Sequence, residues 1–308
     1  MKLAYVTHYD STNVHAWSGL GYFILQALQD NGFQTHRIGN LRVSNRFLLH
    51  FKKLYYGRLF HKKYLSNRDP SLLKHYAAQV ERALADIRCD LVLSPGTIPV
   101  AHLRVDTPIV FWTDATFAGM INYYPAFSNL CAKTIRDGNR MEQLALSKCR
   151  LAIYSSDWAA NTAIQNYDVD PKKIKVVPFG ANLICSHSLQ NISSIITNKK
   201  FEVCRLLFVG MDWFRKGGDV AVAVAERLNE KGIRTELHIV GVHPPRVPAN
   251  FVFCHGFISK KTEDGMNRLK SLMTESHFLI LPSRAECFGV VFAEASAFGL
   301  PSLSTKVG

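Results

Sequence analysis

Along the chain, short runs of consecutive apolar residues alternate with longer segments whose apolar positions recur every three or four residues. The short runs, bounded by Gly, Pro or Ser, read as buried strands, and the periodic segments read as amphipathic helices. In the first half the strands are "LAYVTH", "QTHRIG", "DLVLSPG", "PIVFWTD", "LAIYSS" and "KIKVVPFG". Between them, Gly19 to Asn31 reads as a helix closed by Gly32, and "SLLKHYAAQVERALADI" as a long amphipathic helix. Ser156 stands where it caps a helix beginning near Trp158. The pattern lapses over "ANLICSHSLQNISSIITNKK", rich in Ser and Asn, which reads as a linker. It restarts with the strand "CRLLFVG", the helix "DVAVAVAERLNEKG" and the strands "RTELHIVG", "NFVFCHG" and "FLILPS", with a helix over Asn267 to Thr274.

Strands alternating with helices in this way build parallel sheets covered on both faces. The expected fold is therefore α/β, two Rossmann-like doubly wound domains facing a cleft, with no sequence repeat relating the halves. The expected boundaries are 1–182 for the first domain, 183–200 for the linker and 201–308 for the second. Ligands in such sheets bind outside the carboxyl ends of the strands.

Composition narrows the class. With 308 residues, 47% hydrophobic and 20% charged, the chain is globular and long enough for two domains. The opening "MKLAYVTHYD" lacks the apolar core of a signal peptide, and no run approaches the roughly 20 apolar residues of a membrane-spanning helix. Seven cysteines without paired or metal-ligand spacing suggest reduced thiols in a cytoplasm and no metal site. The formal charge of +13 is unevenly placed, with nine Lys or Arg and no acid from Arg37 to Arg68. Within that window, "RFLLHFKKLYYGRLFHKKYL" at 46–65 mixes bases with aromatics. Three readings fit it: a helix with an apolar core face and a solvated basic face, a segment lying on an anionic membrane, or a nucleic-acid patch. Nucleic acid is set aside as a partner.

Four stretches carry candidate chemistry. "FVGMDWFRKGG" ends a strand at Gly210, presents Arg215 and Lys216, and enters a helix through two glycines. Cations beside a helix N-terminus suit a diphosphate, although a solvated surface turn would read the same way. The Walker spacing is absent. "AECFGVVFAEA" places Glu286 in a loop and Glu294 inside the helix that follows, with Phe288 and Gly289 at its start. Two carboxylates would repel a phosphate, so sugar and ribose hydroxyls are their natural partners; the alternative leaves Glu294 on a wet helix face. "HAWSGLGYFILQAL" puts Gly19 and Gly21 at a helix start, a nest for an anion or a close backbone approach. Asp114 in "FWTDATFAGMINYYP" and His8 after the first strand stand at strand ends, as capping groups or pointing at a ligand.

Taken together, "FVGMDWFRKGGDVAVAVAERL" and "SRAECFGVVFAEASAFGLPSLST" resemble the retaining glycosyltransferases of family 4, which have the GT-B fold. Glu286 and Glu294 match that family's Glu-x7-Glu motif, and "SSDWAANTAI", "KIKVVPFGAN" and "WSGLGYFILQAL" extend the resemblance over nearly the whole chain. The resemblance implies transfer of a hexose-type sugar from a nucleotide-diphosphate sugar to a glycan or lipid-linked acceptor, with retention. The catalytic set it implies is Glu286, Lys216 and Asp114. The donor set is Gly19, Gly210, Arg215, Lys216, Glu286, Phe288, Gly289 and Glu294, with no metal or other cofactor. The unpaired cysteines and the basic aromatic stretch at 46–65 give the expected location, cytoplasmic and peripheral to the inner membrane face. Met211 stands where many members have Arg, and Thr113 where many have His before Asp114. Family members also continue beyond the equivalent of Gly308, so the second domain is expected to be incomplete and the isolated chain weakly stable or poorly active. The rival readings are a nucleotide-sugar epimerase or hydrolase of the same fold, and a catalytically silent sugar-nucleotide-binding subunit.

Overall fold

A computed structural model of the chain describes residues 1–183, 189–199, 202–245 and 249–307. It divides into two compact units, Met1–Pro178 and Phe179–Gly308. The first unit runs β1 (Lys2–Val6), α1 (Leu20–Asp30), β2 (Gln34–Ile38), α2 (Arg46–Phe60), α3 (Pro70–Ala85), β3 (Leu91–Ser94) and β4 (Ile109–Thr113). It continues with α4 (Phe117–Met120), α5 (Ala132–Lys148), β5 (Leu151–Tyr154), α6 (Asp157–Asn166) and β6 (Ile174–Val176). The second unit runs α7 (Leu189–Thr197), β7 (Cys204–Gly210), α8 (Gly218–Glu230), β8 (Thr235–Gly241) and β9 (Val252–Gly256), then α9 (Glu263–Glu275), β10 (Phe278–Leu281), α10 (Val290–Ser296) and β11 (Ser302–Ser304).

Both sheets are parallel throughout, in the orders β2-β1-β3-β4-β5-β6 and β11-β10-β7-β8-β9. The expected pair of doubly wound α/β units is the fold the chain has. Strands of a sheet covered on both faces read as unbroken apolar runs, and here Leu3 to Val6, Leu206 to Phe208 and Leu279 to Leu281 are all buried. In the first unit Ala4, Val6, Val92 and Phe111 join Leu72, Leu73, Tyr76 and Val80 of α3, and Met141, Ala145 and Leu146 of α5, in one core.

The division falls between Pro178 and Phe179, ahead of the segment 183–200 that reads as a linker. Inside that segment α7 packs Ile192 and Ile196 against the turn at Gly299, where a Cβ would come within 2.6 Å of Ile192. Residues 184–188 and 200 lie outside the described residues. The long helix α5 and the short strand β11 also lie where the sequence pattern suggested no element.

Helix α2 departs from the reading in which its apolar face packs on the core. Only Leu49 is buried, with Lys52 bonded to Asp69 at 2.7 Å and Tyr56 stacked on Tyr64 on the same side. The opposite stripe, Phe47, Phe51, Leu54, Tyr55 and Leu59, is exposed, with Phe47 at 87% and Leu59 at 66%. Among the described residues no helix is long and apolar enough to cross a membrane.

Candidate active site

Strand order locates the functional rim of the second unit. From β7 the chain moves outward through β8 and β9, then returns to β10 on β7's other side. The crevice between the carboxyl ends of β7 and β10 is thus the topological switch point, where open α/β sheets bind ligands. The loop after β7 carries Arg215 and Lys216, and the loop after β10 carries Glu286.

Glycine lets these loops touch. Gly217, at φ +76°, has Pro282 so close that a Cβ would lie 2.1 Å from the Pro282 carbonyl oxygen. Any side chain would also be strained at that φ. The Arg284 amide donates to the Arg215 carbonyl at 2.7 Å and ties the loops together.

Across this junction Lys216 Nζ donates to Glu286 Oε2. Both side chains are largely buried, and the lysine stem lies against Gly210, where a Cβ would sit 3.1 Å from Lys216 Cγ. Burial pushes the Lys216 pKa down, against the opposing pull of the Glu286 charge. Arg215 donates from Nη1 to the Ala285 carbonyl at 2.8 Å and reaches Glu286 at 3.5 Å and Asp212 at 3.5 Å. Two cations therefore share one carboxylate. A ligand with both an anionic group and hydroxyls can divide them, the cations turning to the anion and Glu286 accepting from the hydroxyls.

The amides of this loop are already in use. Those of Lys216, Gly217 and Gly218 donate to the carbonyls of Asp212, Phe214 and Trp213 at 3.1, 3.2 and 2.8 Å. The first turn of α8 carries its own acid, Asp219, held bidentately by Arg284 at 2.8 and 2.7 Å. An anion placed at this rim would meet the side chains of Arg215 and Lys216 rather than open amides at the start of α8.

Glu294 is fixed elsewhere. It is 2% exposed in α10 and accepts from Lys260 Nζ, so the wet-face alternative does not describe it. Lys260 lies 34 positions upstream, and nothing in its local sequence marked it. Gly289 caps α10 at φ +74°, and Phe288 packs edge-on against Phe179 at 5.2 Å.

Asp114 and Gly19 belong to the first unit. There the chain leaves β1 through β2 on one side and crosses to β3 on the other, so the switch point lies between β1 and β3. Gly19 (φ +86°) follows Trp17 and Ser18, both also left-handed, and caps α1. Gly21 faces Tyr9, whose hydroxyl would lie 2.3 Å from a Cβ. Burial, and then the Asp114 charge, raise the Tyr9 pKa. A cavity of about 490 Å³ in the second unit, bordered by Lys199, Arg205 and Glu275, lies at the opposite, amino ends of the strands.

Comparisons with known proteins bear on this arrangement. Residues 204–308 match the family model described as Glycosyl transferases group 1. The lipopolysaccharide glucosyltransferase WaaG of Escherichia coli (strain K12) is 30% identical over 150 residues, 46% of this chain and 40% of that protein. Alignments to such curated relatives span about two fifths of their length. Among solved structures, WaaG, a glycosyltransferase involved in lipopolysaccharide biosynthesis, superposes with a TM-score of 0.65 at 18% identity, covering 99% of this chain and 81% of that one. Anabaena Alr3699/HepE in complex with UDP-glucose gives 0.55 at 16% identity, covering 100% and 81%. The fold is that of these GT-B proteins.

Proposed function

We propose that this chain, GT-B in fold and matching group 1 glycosyl transferases over its second unit, moves a hexose-type sugar from a nucleotide-diphosphate sugar to a glycan or lipid-linked acceptor with retention. The observation that carries the reading is the Lys216–Glu286 pair, with Arg215 beside it, across the β7/β10 switch point. Sugar nucleotides present the two chemistries this trio separates, a diphosphate and a ring of hydroxyls. WaaG is by its name a glucosyltransferase, and HepE was solved with UDP-glucose; both agree with such a donor.

In this reading Lys216 and Arg215 leave Glu286 for the diphosphate and stabilise the charge that builds on it as the glycosidic bond breaks. Glu286, freed, accepts from the donor's sugar hydroxyls, and Glu294, oriented by Lys260, accepts from the ribose. The sugar passes through an oxocarbenium-like state, and the departing phosphate takes the proton of the acceptor hydroxyl that bonds to the anomeric carbon on the same face. Asp114, Gly19, Gly210, Phe288 and Gly289 keep the roles the resemblance implies, and no metal is assigned.

The exposed stripe of α2 extends the reading to location. Large apolar side chains stand in solvent on a helix where Arg46, Lys53 and Arg58 add positive charge. That combination fits the interface of an anionic bilayer on the cytoplasmic side.

A screen of UDP-, GDP-, ADP- and CMP-sugars by thermal shift identifies the donor, because a ligand that binds the native state raises its melting temperature. Nuclear magnetic resonance of the product formed with a glycan acceptor then reads its anomeric configuration. A product of the donor's own configuration is expected. An inverted product contradicts retention, and isomerised or hydrolysed donor with acceptor untouched contradicts transfer.

A further inference from the structure

The first unit holds a second charged cluster that the proposed chemistry does not use. Arg68 follows α2 in a short 3-10 turn, Ser66–Arg68, and is half-buried. Its guanidinium carbon stands over the rings of Phe117 and Phe127 at 5.4 and 5.9 Å. Its Nε is buried without a hydrogen-bond partner, and Nη1 makes only a long contact to the Asn67 carbonyl, 3.5 Å. No carboxylate lies within ion-pair distance of it among the described residues. An arginine taken out of water without an acceptor is costly, and its planar fork is shaped for an oxyanion.

The surroundings supply the rest of such a site. His8, at the carboxyl end of β1, lies T-shaped to Tyr9 at 5.1 Å and stacked on Tyr76 at 6.4 Å, and feels the Arg68 charge. Thr97, in the loop after β3, donates to Glu142 Oε2 at 2.9 Å. Glu142, from α5, is 2% exposed, with its Oε1 lacking a hydrogen-bond partner. β1 and β3 flank the switch point of this sheet.

We infer that Arg68, with His8 and the Glu142–Thr97 pair, forms an anion site in the first unit that takes a phosphate group, separate from the cations Arg215 and Lys216 of the second unit. Phosphate fits better than carboxylate because the donors exceed what two oxygens use: the guanidinium fork, one N–H of neutral His8, and the Glu142 hydroxyl when that carboxyl is protonated. Burial pushes the Glu142 pKa up to about 7, so the carboxyl is a donor in mildly acidic solution and a repelling charge in alkaline solution. The inference concerns binding alone. A chain that binds phosphate through Arg68 yet transfers no sugar upholds it while sinking the proposed function.

Isothermal titration of the full chain with inorganic phosphate at pH 6 tests it. The titration is run on K216M as well as the wild type, because K216M removes the anion contact of the second unit, and R68Q is expected to weaken phosphate binding at least tenfold in that background. Should R68Q fail to fold by circular dichroism, R68K keeps the charge without the fork and is expected to weaken binding severalfold. Glycerol 1-phosphate in solution and phosphatidic acid in micelles separate a free phosphomonoester from a lipid phosphate, and stronger binding of either through Arg68 names the source. UDP affinity is expected to be unchanged in R68Q. Phosphate binding that survives both Arg68 variants in the K216M background, that is lost in K216M alone, or that falls together with UDP affinity in R68Q overturns the inference.

Discussion

A buried and a half-buried group of the first unit, Glu142 and His8, titrate against each other. Glu142, raised to about 7 by burial over the opposing Thr97 and Arg68 contributions, favours the folded state fully below its ordinary pKa. That contribution is lost as pH rises from about 4.5 through 7. His8, lowered to about 4 by burial and then by Arg68, contributes fully above its ordinary value near 6.5 and loses it as pH falls towards 4. The two slopes oppose, so Glu142 offsets part of the rise in stability between pH 4.5 and 6.5 that His8 produces together with His102, His238 and His255, all lowered by burial. E142Q removes one slope, and its stability should climb over that window by an amount on the order of 1–3 kcal/mol. An E142Q profile parallel to the wild type contradicts the assignment. At this scale the sequence was uneven. Glu286 and Lys216 were legible because each stands next to a glycine turn at a strand end. Lys260 and Arg68 were not, because Glu294 lies 34 residues from Lys260 and the rings under Arg68, Phe117 and Phe127, also come from far along the chain, which leaves no local pattern. Asp114 and His8 sat at predicted strand ends, yet what His8 meets, the Tyr76 ring of α3 and the Arg68 charge, comes from far along the chain, and no single run of residues reveals it.

Among the elements, the start of α3 and the placement of α2 depend on one acid. Asp69 caps α3, accepting from the Ser71 amide at 2.9 Å and from the Ser71 hydroxyl, and also accepts from Lys52 at 2.7 Å and from Tyr64. Burial pushes its pKa up, but these donors outweigh it and hold the carboxyl well below the usual range. Its contribution is therefore present above the ordinary carboxylate pKa and is lost as pH falls through the depressed value. D69A is expected to cost about 3–5 kcal/mol in urea unfolding at pH 7, the cap and the partner of a part-buried lysine going together; a loss below about 1 kcal/mol would show that α2 is held by other contacts. For α2 itself, flotation with anionic vesicles separates the outer stripe from charge alone. Triple replacement of Phe47, Phe51 and Leu59 by Ser is expected to abolish co-flotation without changing the circular dichroism spectrum, and equal co-flotation would refute lipid contact. K52Q is a poor probe of that contact, since Lys52 is already neutralised by Asp69. The elements that the sequence hid share a cause. Ile192 and Ile196 make a helical stripe in α7, but Ser and Asn around them read as loop, and packing against the Gly299 turn overrides that composition.

For the molecule as a whole, unbroken apolar runs and period-three-to-four patterning carried the architecture: two parallel sheets with helices between their strands. The unit boundary was less legible because Phe179 continues the apolar run of "VVPF" yet is buried against Phe288 in the second unit. The central claim is that Lys216 and Glu286 part to hold the two ends of one nucleotide-diphosphate sugar. The most direct measurement is calorimetric affinity for the donor identified by thermal shift, set beside affinity for its nucleoside diphosphate, in the wild type, E286Q and K216M. K216M should weaken both ligands by about 10- to 100-fold, the range for losing one charge-assisted contact. E286Q should weaken the sugar nucleotide by about tenfold, having lost an acceptor for sugar hydroxyls, and leave the nucleoside diphosphate as tight or tighter because Lys216 is released. Equal affinities for both ligands in all three proteins would contradict the account.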